Sequence, residues 1–142
     1  MALNLLKLCV GCESVEDLEE WIAMRLEQRR RAGEAVEHFH TTRMVPTRAA
    51  ELVDGGSLYW VIKGVVSCRQ QVLEILTHGE GPNAWCEIRL DPEVVRTAPL
   101  GRKPFQGWRY LEPRDAPADL SRADAQGLPE DLVRELREIG AW

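Results

Sequence analysis

The sequence predicts an α+β protein, from one amphipathic helix near the start, a central run of strand-like segments divided by Gly and Pro turns, and a second helical pattern at the end. The expected architecture is a curved, mostly antiparallel sheet or small barrel, with the residue 14–32 helix packed on it and a C-terminal helix attached. With 142 residues, 44% hydrophobic and 29% charged, the chain is expected to be one domain, residues 1–142, of which about 113–142 form a helical extension. A chain this long buries enough surface to need no disulfide or metal staple.

The elements follow in order. Residues 3–9, LNLLKLC, alternate imperfectly and give a short strand. Ser14 with Asp17 resembles a capping box, acids crowd the first turns, Arg29, Arg30 and Arg31 close the last, and Gly33 stands at the C-terminal cap. Val15, Leu18, Ile22 and Leu26, with Trp21 beside them, supply the buried stripe. Val36–Arg43 reads as a strand and Pro46–Leu52 as a helical turn opened by proline. Ser57–Ile75 is rich in β-branched and aromatic residues and too long for one strand, so Gly64 is expected to mark a bend, a bulge or a division in two. After the turn His78–Asn83, Ala84–Leu90 alternates, with Trp85, Glu87 and Arg89 on one face and Cys86, Ile88 and Leu90 on the other. A proline-punctuated loop then leads to the strand Trp108–Leu111, and Pro129 opens the last helix.

The longest apolar run, Leu58–Ile62, is far shorter than the roughly twenty residues of a spanning helix. The opening MALNLLKLCVGC lacks the basic region and apolar length of a leader, so a cytoplasmic location with no membrane partner is expected. The sequence says nothing about oligomeric state.

Net charge is −5, yet unevenly spread. Residues 1–37 carry five basic and eight acidic side chains, residues 38–111 nine and seven, residues 112–142 four and eight. Two stretches hold no acid: 38–50, with Arg43 and Arg48, and 94–111, with Arg96, Arg102, Lys103 and Arg109. The second also interleaves Phe105, Trp108 and Tyr110. Cations neutralise phosphates and aromatic faces stack on bases, so this mixture suits single-stranded or looped nucleic acid. The candidate contacts are Arg43, Arg48, Lys63, Arg69, Arg102, Lys103 and Arg109, with Phe105 and Trp108 for stacking. Against this, Trp108 is also what a strand core would hold, and Lys63 is either a pocket lysine or a strand-end charge reaching water.

The leading expectation is a non-catalytic module that binds RNA or a modified base without a cofactor. The alternative is a zinc- or thiol-dependent enzyme at Cys9-Val-Gly-Cys12, with His38 and His40 as the further ligands. A third is a protein-interaction module. There is no nucleophile elbow and no Walker loop.

KLCVGCESVEDLEEW, TRMVPTRAAELVDGGSLYWVIKGVVSCRQ and RKPFQGWRYLEPRDAPADL together resemble the bacterial domain-of-unknown-function 1489 family over nearly the whole chain. The resemblance implies no activity, substrate or catalytic residue. Thr47 stands where the resemblance leads one to expect lysine, which weakens a phosphate-binding role for that loop. A looser likeness, carried by the lysine-bearing first strand, acidic helix and glycine-punctuated strand pair, is to PUA-like β-barrels and their EVE and ASCH relatives. It implies binding of RNA or modified bases.

Overall fold

A computed structural model describes residues 2–103, 105 and 107–120. The helix expected from Pro129 lies outside them. The described elements are β1 (Asn4–Leu8), α1 (Val15–Arg31), β2 (His38–Thr42), α2 (Ala49–Val53), β3 (Ser57–Ile62), β4 (Val65–His78), β5 (Trp85–Leu90), β6 (Val95–Gly101) and β7 (Trp108–Leu111).

Helix α1 is the element its sequence dictates. The Ser14 hydroxyl accepts from the Asp17 amide at 3.1 Å, and the Asp17 carboxylate accepts from the Glu13 amide at 3.0 Å, so two otherwise orphaned donors are met. Val15, Leu18 and Ile22 are buried against the sheet, with Leu26 beside them. Trp21 instead stays outside the stripe, edge-on to His38 and under the Arg25 guanidinium. Arg96 on β6 reaches Glu16 and Glu19 of α1 at 2.9 and 3.0 Å and ties helix to sheet.

The strands form one open sheet in the order β2-β5-β4-β3-β1-β7, with β6 also paired to β4. Only β1 and β3 run parallel among the described pairs. The long apolar stretch divides into two strands at Lys63-Gly64, both with positive φ (49° and 80°), as a two-residue hairpin turn of matching twist requires. Gly64 is thus a turn residue, not a bulge. Strand β4 holds β3 along one edge of its first half, while β6 and β5 pair in series along the other edge.

Two expectations are corrected. The segment 95–101 is a strand, not a loop. Pro99 hides it, because proline removes a ladder donor, but here the register shifts between the pairs Val66↔Leu100 and Cys68↔Arg96 and no donor is needed. The helical turn expected from Pro46 begins only at Ala49, because residues 44–48 are held against β7: the Trp108 indole donates to the Met44 carbonyl at 2.8 Å, and the Arg48 amide to the Tyr110 hydroxyl at 3.1 Å.

These same bonds show how far the sheet curves. Strands β2 and β7 are its two ends, about 24 Å apart if the sheet were flat at roughly 4.8 Å per interval, yet Met44, two residues past β2, touches Trp108 of β7. The sheet curls without closing into a barrel, and residues 44–48 span the gap.

Its inner face, under α1, carries the main core: Leu3, Leu5, Leu58, Trp60, Ile62, Cys68, Val72, Ile88, Leu90 and Trp108 among others. The outer face carries a smaller cluster of Leu6, Tyr59, Val61, Val66 and Leu111, with Phe105 and Ala116 packed on it.

Candidate nucleic-acid interface

Several connecting segments meet at the end of the sheet where β1 and β3 finish and β4 and β7 begin. The Cys9 amide donates to the Val61 carbonyl at 2.9 Å, and the Arg102 amide to the Gly64 carbonyl at 2.8 Å. The Lys63 ammonium lies 3.5 Å from Glu13. Residue 44 reaches the start of β7, where a methyl on Gly107 would lie 3.0 Å from the Met44 sulfur. The segments that carry Arg43, Lys63, Arg102 and Lys103 thus meet at one pole, and residues 9–13, 43–46, 63–64 and 101–107 include a single carboxylate, Glu13. Among the described residues Arg43, Arg102 and Lys103 have no side-chain ion pair.

The remaining expected contacts are placed elsewhere. Arg48 pairs with Glu51 at 2.7 Å and Glu112 at 3.5 Å, and those carboxylates hold its guanidinium above its usual range. Arg69 forms a two-bond pair with Asp119, both at 2.7 Å, on the outer face. Arg109 lies over the Phe105 ring, 5.5 Å from its centroid, on that same face. Trp108 is buried on the inner face, 7% exposed, its N–H spent on Met44. The nine residues are therefore divided between two faces and one pole. Trp108 is unavailable for stacking because β7 alternates and residue 108 is an inward position. Arg96, which made 94–111 look so basic, is neutralised by α1.

The metal alternative fares similarly. Burial, with the neighbouring Cys12 thiol adding to it, holds the Cys9 thiol well above its usual range. His38 turns toward Trp21, and His40 lies edge-on to Trp60 at 5.3 Å. Among the described residues no three His, Cys, Asp or Glu side chains gather as a metal ligand set. Cys68 and Cys86 are buried core residues, the former with its thiol pushed up to about 12 by burial.

Residues 5–142 match the family described as "protein of unknown function (DUF1489)". The chain belongs to the DUF1489 family. No curated protein and no solved structure matches it. The DUF1489 match begins at Leu5, so every residue of the cationic pole lies within it. No helix among the described residues of this DUF1489 protein is long and apolar enough to cross a membrane.

Sequence reasoning missed Lys7 as a site residue. It interrupts the apolar run of β1, and its alternation with Leu5 and Cys9 was the available sign that it points inward. On that inner face burial pushes the imidazoles of His38 and His40 down to about 4, with the charges of Arg25 on the first and of Lys7 and His38 on the second adding to the effect. Both depressed values lie below the ordinary 6.5. The unfolded DUF1489 chain therefore binds more protons than the folded one between these limits. Stability is expected to be complete above pH 6.5 and to fall as pH drops toward 4, with a slope approaching two protons near the middle of the window. Urea unfolding at stepped pH measures that slope; a flat profile over this window would show that neither histidine is buried neutral.

Proposed function

We propose that this protein is a non-catalytic module that binds single-stranded RNA through its cationic pole. The observation that carries this reading is the convergence of Arg43, Lys63, Arg102 and Lys103 from separate segments onto one end of the sheet, inside a chain whose net charge is −5. Long-range repulsion from the acidic remainder confines a polyanion to that end. Arg48, Arg69, Arg109 and Trp108, engaged within the fold, are left out of the contact set. The four unbridged cysteines accord with a cytoplasmic setting. The zinc- or thiol-enzyme alternative has less support, since the sulfurs face each other and the histidines face indoles.

The test is affinity for single-stranded RNA as a function of salt. Replacing Arg102 and Lys103 with alanine is expected to weaken binding about tenfold or more at low salt and to flatten the log–log salt slope by roughly 0.7 for each phosphate contact removed. The Arg48→Ala variant should leave the slope unchanged. Absence of binding by the wild type at low salt would retire the proposal.

A further inference from the structure

The inner face holds two polar groups whose needs the described protein groups do not meet, and they are neighbours. Lys7 is paired in register with Trp60 on β3 and with Trp108 on β7. Residues directly opposite one another in adjacent strands project to the same side, so the lysine stem runs between two indoles. Both indoles are buried, and both N–H groups are committed, Trp60 to Gln70 at 2.9 Å and Trp108 to Met44. Among the described residues no carboxylate pairs with Lys7, and burial lowers its ammonium from the usual value. His40 lies edge-on to Trp60, 5.3 Å between ring centroids, close enough to Lys7 for the ammonium charge to act on its imidazole, and its buried Nε2 has no hydrogen-bond partner.

A half-buried cation without a counter-ion and a buried imidazole nitrogen without a partner each work against folding. A single oxyanion satisfies both, one oxygen accepting from the lysine Nζ–H and another from the imidazole Nε2–H. We propose that Lys7 and His40 form a phosphate-binding recess on the inner face, occupied by the terminal phosphate of a nucleic-acid strand. This deepens the function proposed above and rests on it only for the identity of the phosphate's carrier. A terminal monoester offers three oxygens and one attachment point, and so enters a recess from one side. An internal phosphodiester would have to lead the chain in and out between α1 and the sheet. The cationic pole lies at the end of β1 just beyond Lys7, where the trailing strand would run.

The experiment follows the His40 ring by NMR in the intact chain, first with inorganic phosphate and then with matched RNA oligonucleotides with and without a terminal phosphate. Phosphate at about 10 mM is expected to raise the His40 pKa from about 4 by about one unit or more, given a Kd on the order of 1 mM. Lys7→Met, which keeps the stem between the indoles but not the charge, is expected to abolish the response while melting no lower than wild type. His40→Gln is the second variant and should weaken phosphate binding without loss of fold. The phosphorylated oligonucleotide should bind about tenfold tighter than its hydroxyl-ended counterpart, a preference that Lys7→Met erases. No response of His40 to inorganic phosphate overturns the recess. A response to phosphate with equal affinity for the two oligonucleotides overturns the strand-end assignment. A response to phosphate with no RNA binding at all keeps the recess and overturns the nucleic-acid reading instead.

Discussion

Replacing Gly56 with alanine is expected to destabilise the protein by about 3 kcal/mol or more, the range reached when a core site is overfilled against atoms that cannot move aside. Gly56 links α2 to β3. Its amide donates to the Leu52 carbonyl and its carbonyl accepts from the Val72 amide, both at 2.9 Å. A methyl group there would fall inside the van der Waals radii of the Leu3 and Leu52 carbonyl oxygens. Both are backbone atoms, so relief requires β1 or α2 to shift, and Leu3 and Leu52 are among the most buried residues. A domain of this size loses roughly 4 °C of Tm per kcal/mol, so a drop of about 12 °C is the expected calorimetric result. A variant melting within about 2 °C of wild type would show that the close approach of β1, α2 and residue 56 is not as described.

The second large effect is expected at Gln70, which is fully buried on β4. Its carbonyl accepts from the Trp60 indole at 2.9 Å, and its amide donates to the Asp91 carbonyl at 2.9 Å. It therefore clamps β3 to the chain just past β5, where Asp91 leaves the ladder toward β6. Gln70→Leu preserves volume but orphans both partners, at about 1–3 kcal/mol for each buried group left unsatisfied. A loss of roughly 2–5 kcal/mol in denaturant titration is expected. Removing the indole donor as well, by Trp60→Phe, should recover part of that loss, since the donor left unpaired is then gone. The double-mutant cycle isolates the pair, and strict additivity of the two substitutions would show that the bond contributes nothing.

Local features were legible from the residues alone. Ser14, Asp17 and Gly33 mark both ends of α1, and the alternation of Cys86, Ile88 and Leu90 gives the inward side of β5. What escaped depends on distant partners. Pro99 disguised β6 because the irregular register that accommodates it belongs jointly to β4 and β6. Arg69 and Arg96 read as available cations, yet their acids lie 50 and 80 residues away in Asp119 and Glu16. Charge counting along the chain cannot register such pairings. Trp108 looked like a stacking platform beside basic residues, and only the register of β7 against Lys7 shows that it faces the core. Of the four cations at the pole, Lys63 has Glu13 beside it, and Arg43, Arg102 and Lys103 are those the fold leaves without an ion pair among the described residues.

The position of β1 in the sheet also fixes when the molecule can finish assembling. It precedes every other described element, yet its flanking neighbours are Ser57–Ile62 and Trp108–Leu111. During synthesis its apolar side chains Leu5, Leu6 and Leu8 must wait for the last of these to emerge, because the entropy of closing so wide a loop is spent before any pairing returns it. Until then the seam between β3 and β7 stands unfilled and the nascent chain carries an unmatched sticky strand. Shielding of that strand, by α1 or by a chaperone, is a requirement that the topology itself imposes.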